Sequence, residues 1–148
     1  MGTSCVIGYG PKDKFKGIYV HYDGNIESVG MQLTIFLAAH GFLEIKKLVE
    51  GRKAGMRAFN LHSDLSLKPD FNAQRPESKY LDYSDMGNVS YFYDVTPKSI
   101  KMHKGRHLIK TVKIESVKEF IVQAIFETEE ETEFFMSKVG QKLWDIIS

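Results

Sequence analysis

Two residues in the stretch "GIYVHYDGNIESVG" (17–30) have types and spacing suited to chemistry. His21 and Asp23 are two apart, so on an extended strand both side chains leave the same side. An imidazole and a carboxylate so placed can grip an anion together with free amides, position a water, or act as a general acid–base pair. Asn25 follows at the point where strand periodicity gives way to helical periodicity. Its type suits an N-cap, which would place the amides of a helix start beside His21 and Asp23. The same residues also make an ordinary turn, with Asp23 bonded to nearby backbone and Gly24 at positive φ.

Other chemical candidates are weaker. "GYGPKDKFKG" contains glycines and lysines but matches neither a phosphate-binding loop nor a dinucleotide fingerprint, and a hairpin turn explains it. His103 and His107 have i, i+4 spacing, yet Gly105 lies between them and both flanks are strand-like, so no metal site is expected. His62 stands alone in a loop region. His40 sits beside Gly41, where a cation favours a helix end. Cys5 in "TSCVIGY" is a strand residue, and as a nucleophile it would need a neighbouring base and a lowered pKa. Tyr19, Tyr22, Tyr91, Phe92 and Tyr93 place aromatics on both faces of two strands, more than one buried face requires. Tyr19, Tyr91 and Tyr93 are therefore candidates for stacking a planar ligand or forming an interface.

The elements that position these residues follow from the pattern. Strands are expected at "TSCVIGYG" and "GIYVHYDG", joined by the charged turn "KDKFKG" into an N-terminal β-hairpin. Val29, Leu33, Phe36 and Leu37 fall on one helix face, Gly41 ends that helix, and "FLEIKKLVEG" forms a second short one. Residues 52–87 show no sustained period and read as a long surface loop. "NVSYFYDV", "SIKMHKG" and "HLIKTVKI" continue as a meander with turns at Thr96-Pro97 and Lys104-Gly105. Ser116 can cap a helix, and Thr128 with Glu131 fits a capping box for a last one. The fold class is α+β: an antiparallel sheet with an N-terminal β-hairpin, an inserted helix pair and C-terminal helices. Residues 1–148 form a single domain.

Composition sets limits on partners. Apolar residues at 43% and charged residues at 26% are ordinary for a globular chain. A net charge of +1 gives no nucleic-acid signal. The single cysteine excludes an intrachain disulfide and fits a reducing, cytoplasmic setting. No apolar run is long enough to span a membrane, and no signal peptide opens the chain. No cofactor is implied, and self-association into a homo-oligomer stays open.

The start "MGTSCVIGY", the strand "GIYVHYDG", Gly30 and the apolar helix after it resemble a family of small uncharacterised bacterial and phage proteins. Its members open Met-Gly-Thr and continue with a strand ending aromatic-Asp-Gly, often followed by Tyr-Pro, and a helix with an early glycine. A later Tyr-rich strand pair is similar to "NVSYFYDV" and "KSIKMHKG". Tyr22 stands where Trp is usual, and Asn25-Ile26 replace Tyr-Pro. The resemblance implies a shared fold unit, with Gly2, Thr3, Asp23, Gly24 and Gly30 as its signature, and a phage or prophage context in a host cytoplasm.

The reading these observations support is a binding protein that sequesters a small anionic or nucleotide-like host ligand in a counter-defence role. His21, Asp23 and Asn25 would hold its polar part, and Tyr19, Tyr91 and Tyr93 its planar part. One alternative is a small hydrolase using His21 and Asp23, or an N-terminal nucleophile at Thr3 or Cys5. Another is an inhibitor that engages a host protein through the 52–87 loop.

Overall fold

The computed structural model describes residues 3–11, 14–51, 56–61, 66–68, 70–71, 89–105 and 107–118. Strands β1 (Cys5–Tyr9) and β2 (Lys16–Val20) pair antiparallel, with Ile7 opposite Ile18. A π-helical turn, Ile26–Gly30, runs into α1 (Met31–His40), and α2 (Phe42–Glu50) follows. Then come β3 (Met56–Ala58), β4 (Asp70–Phe71), β5 (Tyr91–Val95), β6 (Ser99–Lys104) and β7 (His107–Lys113). The described strands form one sheet in the order β4-β3-β2-β1-β5-β6-β7.

The class is α+β, and most strand pairs are antiparallel, but the sheet is mixed rather than wholly antiparallel. β1 runs parallel to β5, with Ile7 opposite Tyr93, and β2 runs parallel to β3 through Val20 and Met56. The connection from β2 through both helices to β3 is thus a crossover between parallel strands. The expected long loop is also not wholly irregular. It contains β3, β4, the buried Phe59 and a bridge between Leu61 and Leu67, and residues 52–55, 62–65, 69 and 72–87 lie outside the described residues.

Register assigns the two faces of the sheet. Cys5, Ile7, Ile18, Val20, Tyr93, Val95, Ile100, Met102 and Val112 are buried on the face that carries the helices. There α1 contributes Leu33, Ile35, Phe36 and Leu37, and α2 contributes Ile45 and Val49. α1 is buried nearly all round, as a central helix must be. Gly41, at φ 91°, ends it. Tyr9 meets Phe42 edge-on at 5.6 Å and donates to Glu50, which also pairs with Lys16 at 3.4 Å, fixing the end of α2 over the hairpin. The Tyr9 hydroxyl, ahead of Lys16, keeps the Glu50 carboxyl below its ordinary range.

The opposite face holds a second cluster: Val6, Phe15, Val89 and Phe92, with Tyr19 against it. Phe15 leaves the charged turn and folds back over Gly8 and Gly17. A Cβ on Gly8 would lie 2.3 Å from its ring, and one on Gly17 would lie 2.9 Å from it. The Phe15 ring meets Phe92 edge-on at 5.2 Å, and His103 stacks on Phe92 at 4.9 Å.

The meander β5-β6-β7 is as expected. Thr96 closes the first turn, its Oγ1 accepting from the Ser99 amide at 3.0 Å, and Gly105 sits in the second. Residues 115–118 are helical, so the helix begins before Ser116. That side chain donates back to the Lys113 carbonyl at 2.7 Å and does not serve as the expected N-cap. The last helix expected from the sequence, with Thr128 and Glu131, falls outside the described residues. No single described helix is long and apolar enough to cross a membrane.

Candidate functional site

The joint between β2 and α1 is assembled from residues far apart in the chain. β2 ends at Val20, so His21 and Asp23 lie beyond the strand, not along it. Asp23 takes the left-handed conformation at φ 58°, one that Asp tolerates better than most side chains. Gly24 does not have a positive φ, and its role is space. A Cβ there would lie 2.7 Å from the Cys5 Cβ and 2.8 Å from both the Cys5 nitrogen and the Ser4 carbonyl carbon.

Gly24 is fastened on both sides. Its amide donates to the Thr3 carbonyl at 2.7 Å, and its carbonyl accepts from the Tyr93 hydroxyl at 2.7 Å. The same tyrosine ring passes Gly30, whose Cβ would stand 3.2 Å from the hydroxyl. Tyr93 is therefore not a stacking surface. It is fully buried, a correction that follows from its phase on β5, which points it at the helix face.

The helix start also differs from the expected cap. Asn25 has the extended backbone of an N-cap, but its side chain makes no capping bond and its Nδ2 donates to Glu27 Oε2 at 2.6 Å. Three amides of this turn donate to backbone. Ser28 and Gly30 donate to the Asn25 carbonyl, and Val29 donates to the Asp23 carbonyl at 3.1 Å. The bond from Gly30 to Asn25 spans five residues, the spacing of a π-turn.

The surface of the joint is aromatic and acidic. Tyr19 Oη and His21 Nδ1 share a hydrogen bond at 2.9 Å, and the His21 ring meets Tyr22 edge-on at 4.5 Å. Tyr22 is 37% exposed, and Asp23, next to it in the chain, and Glu27 are exposed as well. The structure thus joins Tyr19, His21 and Tyr22 in one set and Asn25 with Glu27 in another, with Asp23 between the two in the chain. Tyr91 stands apart, half-buried against the helix-face core. Tyr22 was visible in the sequence as one of the surplus aromatics, while Glu27 lies in the first helical turn, where its charge complements the helix dipole.

The remaining candidates are placed as follows. Cys5 is fully buried and free, and burial pushes its thiol well above the ordinary range, the reverse of what activates a nucleophile. Thr3 engages Gly24 through its carbonyl. His103 is buried on the second face with an Nδ1 that makes no hydrogen bond among the described residues, whereas His107 is exposed across the hairpin. Among the described residues no three His, Cys, Asp or Glu side chains cluster as metal ligands.

Burial also makes Tyr93 a stability sensor. Burial first, and then the neighbouring Cys5, push its phenol far above the ordinary 10.0. Both groups bind their protons more tightly when folded, so their contribution is whole below the unfolded values of 9.0 and 10.0 and is lost as pH rises beyond them. Denaturation midpoints should therefore fall from about pH 9 upward, with a slope approaching about 1.4 kcal/mol per pH unit for each group. The Cys5→Ala variant should hold a flat profile to about one pH unit higher. Coincident profile shapes for the two proteins would contradict this. Neither a protein-family model, nor a curated protein, nor a solved structure matches this chain.

Proposed function

We propose that the chain is a phage- or prophage-type binding protein that sequesters a small nucleotide-like host ligand at the β2–α1 joint, in the host cytoplasm and without catalysis. The observation that carries this reading is the aromatic group Tyr19–His21–Tyr22 displayed on a joint whose backbone is fastened from beneath. A base or similar planar group stacks against Tyr22 and His21, and stacking of this kind tolerates many rings. Asp23 and Glu27 accept hydrogen bonds from the ring or sugar donors of the ligand. An anionic part of the ligand would point away from these two carboxylates, because like charges repel across so short a span.

The phage context rests on the resemblance of the opening residues and the aromatic-Asp-Gly strand. The binding reading, as against hydrolysis, rests on the site's connections: His21 Nδ1 is engaged by Tyr19, and Cys5 is buried with its proton held.

Native mass spectrometry of the protein purified from its host tests the reading. The expected spectrum carries an added mass that disappears on denaturation. Tyr22→Ala should lose most of it, since one stacked base is worth about 1–3 kcal/mol, while its melting temperature stays near that of the parent. Bare subunit mass in the parent protein would reject sequestration. Equal adduct in the Tyr22→Ala protein would place the ligand elsewhere.

A further inference from the structure

A second surface lies at the far end of the sheet, away from the joint. β7 is the last strand among the described residues, so on one side its backbone has no neighbouring strand there. Such an edge is a template for another strand. Its register against β6 shifts between Met102 and His103, which face Lys110 and Leu108, leaving Ile109 as the extra residue of a bulge. Leu108 is 55% exposed and Ile109 48% exposed. Two consecutive large aliphatics thus stand exposed on a strand that also carries Lys110 and Lys113.

Charge narrows the occupant. Between Asp94 and Glu115 the chain carries Lys98, Lys101, Lys104, Arg106, Lys110 and Lys113 and no carboxylate, in a protein of net charge +1. Lys101 and Lys113 share the face of Thr111, and Lys104 and Lys110 share the other. A second copy pairing antiparallel about the middle of β7 would set Lys110 against Lys110, and directly opposed like charges destabilise a pair. The lysines that exclude self-pairing favour an acidic strand. A nucleic acid would meet lysines too, but the exposed apolar residues here are aliphatic, and single strands are held on aromatic rings.

We infer that the edge of β7, which no described strand covers, is a docking site for an extended, acidic polypeptide segment of a partner protein, added as a further strand. Backbone bonds to β7 give affinity, Glu or Asp side chains meet the lysines on both faces, and an apolar side chain covers Leu108 and Ile109.

Fluorescence anisotropy with the full chain tests it, using a labelled peptide of alternating Glu and Val, the same peptide N-methylated at alternate amides, and a single-stranded oligonucleotide. The peptide should bind saturably and slow amide exchange across residues 107–113. N-methylation should weaken it about tenfold or more, because the strand can no longer complete its ladder. The double substitution Lys110→Gln/Lys113→Gln should weaken it by a similar factor with no change in melting temperature. The inference is overturned by no peptide binding, by equal binding of the N-methylated peptide, by tighter binding of the oligonucleotide, or by a free chain that dimerises through β7.

Discussion

Gly24→Ala is expected to destabilise the fold by about 3 kcal/mol, at the upper end of what overpacking costs. The added methyl would meet the Cys5 Cβ at 2.7 Å, the Cys5 nitrogen at 2.8 Å and the Ser4 carbonyl carbon at 2.8 Å. Two of these three are backbone atoms at the start of β1, which is held by β2 on one side and β5 on the other. A flexible side chain could rotate away, whereas this strand cannot move without breaking its ladders. Residue 24 cannot retreat either without giving up the bond to the Thr3 carbonyl or the one from the Tyr93 hydroxyl. For a domain of this size the loss corresponds to a melting temperature lower by about 6–12 °C. Gly41→Ala is the control. Gly41, at φ 91° and ψ 169°, occupies a region that is essentially glycine's own but has open space around its missing Cβ, so conformational strain of about 1–3 kcal/mol applies there without a clash. A Gly24→Ala protein that melts with the parent would refute the steric account of Gly24.

The contrast between these glycines shows what could be read from the sequence. Asp23-Gly24 was legible as a turn, but with the roles reversed: Asp23 bears the left-handed conformation and Gly24 the close approach. Turn propensity is local, while the approach of Ser4 and Cys5 is set by strand pairing. The hairpin, both inserted helices and the β5-β6-β7 meander were legible because alternation and the 3.6-residue period are local signals too. The parallel crossover to β3 was not, since its three residues, Met56–Ala58, are too short to show alternation. The surplus of aromatics on β5 had a simple cause. That strand lies between β1 and β6 with both faces buried, so Tyr93 fills one core and Phe92 the other. Periodicity gives the phase of a strand but not whether its second face is covered. Phe15 is the same lesson in a turn: a single apolar residue among lysines closes the second cluster by folding over Gly8 and Gly17.

The candidate site was legible by residue type and not by geometry. His21 was paired in the sequence with Asp23 because they are two apart, yet its Nδ1 bonds Tyr19, also two apart on the other side. Both pairings have the same spacing, and the choice is made by where β2 ends. Three amides at this helix start, those of Ser28, Val29 and Gly30, are taken up by the Asn25 and Asp23 carbonyls in a π-turn, which no capping motif announces.

Tyr93→Phe should cost about 1–3 kcal/mol, although it removes one oxygen atom. The hydroxyl is buried, and its loss takes from the Gly24 carbonyl the donor that reaches it from the sheet. Water cannot enter easily, because Gly30 and Ile26 pack around the same point and the tyrosine itself is fully buried. Tyr93→Ala should cost about 3–5 kcal/mol, since a cavity is added to the lost bond. The two variants separate the hydroxyl from the ring. If the hydroxyl fastens the joint, Tyr93→Phe should quicken amide exchange at Gly24 and Val29, which are tied to Thr3 and Asp23, more than at Val112 in the distant meander. A Tyr93→Phe protein with parental stability and uniform exchange would mean that the carbonyl finds another donor. The expected local loosening would instead show that one buried hydroxyl holds the platform on which His21 and Tyr22 are displayed. On the proposed function, such a variant should then bind ligand more weakly while leaving every residue of the exposed surface intact.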